Sequence, residues 1–361
     1  MFFNNKSLLE KVYACLLAHD DMAVMAKLID NNAVSVDEDK SLIKITLPFY
    51  APHWLANLQE HCQQQLGSLF SSPFSWQIDH QVKAMQNDAS KCSLKNIKNI
   101  IVIASGKGGV GKSTVTVNFA LALAKNGASV GILDADIYGP SIPSMLGVKD
   151  AQPLSADGKL MLPIKAHDCV CNSIGFLVKE EEAMIWRGPM ASKALLQVLN
   201  ETDWPALDYL IVDMPPGTGD IQLSMSQNVP VSSALVITTP QDVALIDAKK
   251  GVTMFNKVGV NVAGIIENMS VYHCSHCGHQ EAIFGTGGGK KLAQQYNLPF
   301  LGALPLHIAY REDTDKGYPT VAKDAKSPLS TPYLQLAETV AIDLYRNLKL
   351  ALEQISITQL R

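Results

Sequence analysis

The chain has 361 residues, 47% of them hydrophobic and 18% charged, with a formal net charge of −4. That length suits two domains with a large core, and the slight acidity argues against nucleic acid as a partner, because phosphate contacts need a basic face. Its seven cysteines, an odd number, do not read as a disulfide framework. No run of eighteen apolar residues suggests a membrane helix, and Met1–Lys6 does not open a leader peptide, so a cytoplasmic protein that does not engage membranes is expected.

In chain order, Leu8 to Leu28 reads as helix with a break near Asp20-Asp21. Leu42 to Leu47 alternates as a half-buried strand, Pro52 opens a helix to about Gln65, and Trp76 to Val82 alternates again. Residues 1–85 are therefore expected to form a small α+β domain. No catalytic spacing appears in it. His61 and Cys62 are neighbours, and neighbours on a helix do not face each other, so both are assigned to structure. The polar, aperiodic stretch 86–97 is the expected linker, with Cys92 incidental to it.

From residue 98 to 361 strands and helices alternate, which predicts an α/β domain on a mostly parallel sheet. Asn99 to Ala104 is an apolar, β-branched run of the buried-strand type. It leads into Gly106-Lys107-Gly108-Gly109-Val110-Gly111-Lys112-Ser113, the phosphate-loop pattern G-x-x-x-x-G-K-S/T, and a helix follows from there. The glycines let backbone N–H groups turn toward a nucleotide's phosphates at a helix N-terminus. Lys112 is expected to reach the β and γ oxygens of ATP, Ser113 to ligate Mg²⁺, and Thr114 to close the contact set.

Ser129 to Leu133 is the next strand, ending in Asp134-Ala135-Asp136 on the ligand edge of such a sheet. Asp136 could orient the attacking water or support Mg²⁺; Asp134 could stand behind it or cap the turn. Cys169 and Cys171 lie two apart on an expected strand and read as core thiols. Arg187, within Trp186-Arg187-Gly188-Pro189-Met190, could pair with an acid or touch phosphate or a second subunit. Leu207 to Val212 is a strand ending at Asp213, the position that bonds the Mg²⁺ shell. The following Met214-Pro215-Pro216-Gly217-Thr218-Gly219-Asp220 suits a switch that senses the γ-phosphate, with Gly217 among its contacts.

A second centre follows at Cys274-Ser275-His276-Cys277-Gly278. C-x-x-C-G spacing holds two sulfurs on one metal or cluster, and two such pairs meeting across a two-fold axis complete four thiolates. Soft thiolates suit an iron–sulfur cluster, zinc or Cu(I), and a redox dithiol is a further reading. The flanking histidines are expected at the surface. Phe284 to Lys290 is glycine-rich but lacks the G-K-S/T ending, so it reads as the lead-in to a helix. A long helix from about Pro332 to Gln354 lacks a basic, apolar-faced anchor pattern.

The K-G-G-V-G-K-S loop resembles the deviant phosphate loops of dimeric ATPases. Together with Val212–Asp220, Glu267-Asn268-Met269-Ser270, the C-x-x-C-G pair and Trp186–Met190, it resembles the Mrp/ApbC family of iron–sulfur cluster carrier ATPases over about residues 98–322. The resemblance implies a homodimeric P-loop ATPase that binds ATP, Mg²⁺ and a bridging [4Fe–4S] cluster on Cys274 and Cys277. It implies partners that are apo iron–sulfur proteins and a cluster-assembly scaffold. Lys107 would then act on the partner subunit's nucleotide rather than stand as a solvated charge, joining Lys112 and Asp136 in catalysis. Asn268 would read the adenine, or else cap the strand end. The other readings are a positioning ATPase like MinD or ParA with a structural zinc knuckle, and a reductase like the nitrogenase iron protein. The latter takes its cluster ligands from separated loops, unlike this single knuckle.

Overall fold

The β-branched run around Ile100–Ile103 lies in the middle of an eight-stranded sheet, covered on both faces, as a strand without polar alternation requires. In this computed structural model residues 7–67, 74–85, 94, 96–155, 158–177 and 188–347 are described. The predicted linker lies mostly outside them, as do Cys92, Trp186 and Arg187.

The N-terminal module consists of α1 (Leu8–Leu17), α2 (Met22–Asp30), β1 (Val34–Asp37), β2 (Leu42–Leu47), α3 (Pro52–Leu66) and β3 (Ser75–His80). The predicted helix does break at Asp20-Asp21, and Ser7 and Glu10 form a reciprocal capping box at the start of α1. The short β1 has no counterpart in the sequence reading; it pairs antiparallel with β2, which pairs in parallel with β3. Cys62 is fully buried and its sulfur lies 3.8 Å from that of Cys15, a core contact as expected.

The larger part begins with β4 (Ile97–Ser105), α4 (Lys112–Asn126), β5 (Val130–Asp134), α5 (Ile142–Met145), β6 (Ile164–Ala166) and β7 (Cys169–Ser173). Then come α6 (Gly188–Asn200), β8 (Leu207–Asp213), α7 (Asp220–Asn228), β9 (Ser233–Thr238), α8 (Asp242–Lys257) and β10 (Val262–Glu267). The two-residue strands β11 (Tyr272–His273) and β12 (Gln280–Glu281) follow, then α9 (Gly288–Gln295), β13 (Phe300–Ala303), α10 (Ile308–Asp315), α11 (Thr320–Lys323) and α12 (Thr331–Asn347).

The sheet order is β13-β10-β9-β4-β8-β5-β7-β6, parallel throughout except for the β6–β7 pair. The chain therefore leaves β4 at a switch point, where crevices open beyond the carboxyl ends of strands. Register places Asp213 of β8 beside both Ile103 and Asp134, so two carboxylates reach adjacent positions on that edge. One face packs under α4 and α12, and its core runs without interruption from Phe119 and Tyr333 to Leu16, Phe49 and Leu58 of the N-terminal module. The other face packs under α6 to α9 around Leu195, Met225, Phe255 and Leu292. Each such side chain contributes about 1.5–3 kcal/mol on full burial. Among the described residues no helix is long and apolar enough to cross a membrane.

Candidate functional site

The phosphate loop begins where β4 ends. Gly106 is required there, because a Cβ would lie 2.1 Å from the Asp247 carbonyl carbon and 2.5 Å from the Ala248 nitrogen, both main-chain atoms of α8. Gly109 and Gly111 have φ of +81° and +79°, the left-handed region that glycine enters without strain. Gly108 has open space beside it, with Pro216 the nearest side chain at 4.0 Å. Helix α4 starts at Lys112, so the N–H groups of its first turn are free to meet an anion.

Behind the loop the polar groups converge on Asp213. Its side chain is fully buried, and Lys112 Nζ lies 2.7 Å from Oδ2. Ser113 Oγ donates to that oxygen at 2.6 Å, and Thr116 Oγ1 donates to Oδ1 at 2.6 Å. A buried carboxylate needs such compensation. Thr116 was not anticipated from sequence, although it lies one turn beyond Ser113 and Lys112 on the same helix face. Thr114 is half-buried and its carbonyl accepts from Asn118 Nδ2 at 2.9 Å.

Asp134 is buried next to Asp213, and burial first, then the Asp213 charge, push its carboxyl up to about 7. Its Oδ1 accepts the Asp136 N–H at 3.1 Å, while Oδ2 accepts from Ile142 N at 3.2 Å and Ser173 Oγ at 3.1 Å. Of its two expected roles, the structure gives it turn-capping contacts, through which it also fixes the residue beside Lys112. Asp136 Oδ2 is 4.0 Å from Lys112 Nζ; burial raises its pKa and Lys112 opposes that rise. Gly217 takes φ of +99° and donates its N–H to the Ser105 carbonyl at 2.9 Å, while Gln222 Nε2 donates to Pro215 O at 2.7 Å. The first of these contacts ties Gly217 to the end of β4. Lys107 is half-exposed and forms no ion pair among the described residues; its carbonyl accepts from Ser105 Oγ at 2.9 Å. Asn268 donates through Nδ2 to the Val110 carbonyl at 2.8 Å, so the amide assigned to a base is engaged by the phosphate loop.

The cysteine knuckle stands apart in the turn between β11 and β12, which pair antiparallel. Cys274 N–H donates to His279 O at 2.9 Å, Gly278 N–H donates to Cys274 O at 3.0 Å, and Gly278 takes φ of +70°. The backbone N–H groups of Cys277 and then His276 approach the Cys274 sulfur and lower its thiol to about 7. Cys274 is partly exposed, and Cys277, His276 and His279 are exposed. Among the described residues no three His, Cys, Asp or Glu side chains are grouped to hold a metal ion. Cys169 and Cys171 are buried, and burial pushes the Cys171 thiol up to about 12, in keeping with core roles. At the start of α9 the glycine-rich stretch allows close packing: a Cβ at Gly288 would meet Pro240 O at 2.7 Å and Leu245 Cδ1 at 2.6 Å.

The family model described as ParA, NUBPL iron-transfer P-loop NTPase, matches residues 96–341. The iron-sulfur cluster carrier protein of Escherichia coli (strain K12) is 54% identical over 309 residues, covering 85% of this chain and 84% of its own length. The iron-sulfur cluster transfer protein NUBPL of Mus musculus is 50% identical over 249 residues, covering 68% of this chain and 78% of its own. A solved nucleotide-binding protein from Archaeoglobus fulgidus, in complex with ADP, superposes with a TM-score of 0.55 at 35% identity, covering 62% of this chain and 88% of that one.

Proposed function

This chain belongs to the iron-transfer P-loop NTPase family, and we propose that it hydrolyses ATP and carries a [4Fe–4S] cluster between two copies of itself for delivery to apo-proteins. One observation carries the reading: a phosphate loop with its acidic partners and an exposed C-x-x-C-G knuckle offering two thiols occur in the same chain. Two thiols are half of a four-thiolate site, and an isologous contact between copies would supply the other half. The cluster is cargo, taken from an assembly scaffold and passed on in the cytoplasm.

ATP is the substrate of the other centre. Its phosphates would meet the N–H groups from Gly106 to Thr114, with Lys112 transferring its charge from Asp213 to the β and γ oxygens. Mg²⁺ fits the all-oxygen donor set of Ser113 and, behind it, Asp213, and when bound it would neutralise phosphate charge. Asp136, held by Asp134, orients the water whose oxygen bonds to the γ-phosphorus as the bond to the β-bridging oxygen breaks, leaving ADP and phosphate. Gly217 senses the γ-phosphate by exchanging Ser105 O for it, and Lys107 reaches the nucleotide of the partner subunit.

Anaerobic reconstitution with iron and sulfide tests the reading on the wild type and on the Cys274→Ser, Cys277→Ser double variant. The expected result is about four irons per dimer, with charge-transfer absorption, in the wild type alone. ATP hydrolysis should persist in both. Tight zinc binding without iron uptake would overturn the carrier reading and leave a positioning ATPase with a structural knuckle.

A further inference from the structure

The two centres are joined at one place in the chain. Glu267 is the last residue of β10 and Asn268 the next; they are 3% and 6% exposed. Asn268 Nδ2 donates to the Val110 carbonyl at 2.8 Å, and a Cβ on Gly111 would lie 2.4 Å from that nitrogen. Glu267 Oε2 accepts the Gly289 N–H at 2.6 Å, in the first turn of α9. The knuckle lies on the excursion between these residues. Glu267 and Asn268 open it and Gly289 closes it, so both of its ends are clamped together, and the clamp grips the phosphate loop.

From the clamp to Cys274 the main chain is braced along its length. Leu304 N–H donates to Glu267 O at 2.8 Å, and Ser270 donates through both N and Oγ to Leu304 O at 3.0 Å. Leu306 N–H then donates to Val271 O at 2.8 Å, His273 N–H to Leu306 O at 3.0 Å, and Cys274 N–H to His279 O at 2.9 Å. A segment fixed at several of its peptides transmits a displacement instead of absorbing it.

The loop end of this strut can move. The Val110 carbonyl and the Gly111 N–H belong to one planar peptide unit, pointing in opposite directions. Gly109 and Gly111, at φ of +81° and +79°, flank Val110 and are free to change their backbone angles. A phosphate that draws the Gly111 N–H toward itself therefore turns the same plane whose carbonyl Asn268 holds.

We propose that Glu267 and Asn268 form a latch through which occupancy of the phosphate loop sets the pose and accessibility of Cys274 and Cys277. It rests on the reading above that the loop binds nucleotide. Both are positioning residues: neither needs to touch the cluster or the reacting phosphoryl group to act.

The test reads thiol accessibility in the full-length protein before any cluster is loaded. Alkylation rates of Cys274 and Cys277 by iodoacetamide are followed by mass spectrometry without nucleotide, with MgADP and with a non-hydrolysable MgATP analogue. The wild-type rate should change by about fivefold or more between states, in the range of ordinary allosteric coupling. Asn268→Ala and Glu267→Gln, each at nucleotide concentrations that saturate it in a fluorescent-nucleotide titration, should keep reactive thiols but lose most of that change. Among the described residues Glu267 Oε2 bonds Gly289 and not the phosphate loop, and each variant is read at its own saturation, so weaker nucleotide binding is separated from loss of coupling. Wild-type rates indifferent to saturating nucleotide overturn the latch. So does an undiminished response in both variants, the result expected if dimerisation alone shields the cysteines. Nucleotide titration and iron content are measured separately, so the latch can fail while the ATPase and carrier readings stand.

Discussion

Asp213 has both carboxylate oxygens occupied inside one chain, by Lys112, Ser113 and Thr116, and no solvent reaches it. Cys277 stands exposed on a hairpin of two-residue strands, with the partly exposed Cys274 three residues before it. The phosphate region is supported from β4, β5 and β8 and gripped from the end of β10; the knuckle is shaped mainly by its own backbone. The difference teaches what each ligand demands. Charge handling at a phosphate needs donors and carboxylates fixed in advance in a dry pocket, so the core supplies them. A bound cluster needs accessible thiols and a route out, and the hairpin supplies those at little cost in packing.

The sharpest way to break that contrast is Lys112→Ala. It removes the cation from the phosphate site and leaves Asp213 buried with hydroxyl donors alone. Hydrolysis, followed as phosphate release, should fall by about 10³-fold, and the urea midpoint should drop in line with a loss of about 3–5 kcal/mol. The thiols of the nucleotide-free variant should alkylate as in the wild type. A loss of hydrolysis under about tenfold would mean that the pocket is not the catalytic one.

A matched pair of glycine substitutions compares the two regions directly. Gly106→Ala drives a Cβ into main-chain atoms of α8 at 2.1 Å, and nothing there can yield without displacing β4 from α8. It should lower the melting temperature by many degrees and abolish nucleotide binding. Gly278→Ala sits at φ of +70° with open space around it, so its cost is the left-handed conformation alone, about 1–2 kcal/mol, confined to the hairpin. Its melting temperature should fall by no more than a few degrees while iron uptake weakens.

Much of this was readable in the sequence because the phosphate loop has fixed spacing and its flanking strands are apolar throughout. Strand-end carboxylates then follow, since a parallel sheet puts Asp134 and Asp213 on one edge. What could not be read is who answers them. Thr116 meets Asp213 across a sequence separation of 97, and Ser173 meets Asp134 across 39, so no local pattern marks either. Glu267 lies at the end of an apolar strand and resembles a solvated end until α9 folds back onto it. Asn268 was read as facing a base or capping the strand end, and its bond to the Val110 carbonyl, across a sequence separation of 158, has no local signal either. The short β1, Val34-Ser35-Val36-Asp37, does alternate, but four residues are the shortest run that reads as a strand.

Asp134 gives a pH test of the buried side of the comparison. Its folded pKa is raised from 3.8 to about 7, so the folded chain holds a proton that the unfolded chain releases. Its stabilising effect is therefore complete below about pH 4 and is lost as pH rises through 7, by no more than about 4 kcal/mol. Urea midpoints at pH 5 and pH 8 should show this decline, and Asp134→Asn, neutral at both, should flatten it. The same decline in Asp134→Asn would move its origin elsewhere.

The smallest effect concerns a region that belongs to neither centre. Glu338 of α12 is 5% exposed; its Oε1 accepts the His53 N–H at 3.2 Å and lies 2.5 Å from His53 Nδ1, and its Oε2 accepts the Trp54 N–H at 3.1 Å. It caps α3 from the far end of the chain, beside a cavity of about 510 Å³ lined also by Trp54, Leu301 and Thr339. Glu338→Ala leaves two helix-start donors without their acceptor, which costs about 1–3 kcal/mol. Because the cap joins the N-terminal module to α12 and not to the phosphate loop, the loss should appear as faster amide exchange in α3, with hydrolysis and thiol reactivity unchanged. If hydrolysis or the nucleotide response of the cysteines moves with α3, the N-terminal module is part of the coupling, and the contrast between pocket and hairpin becomes one among three regions.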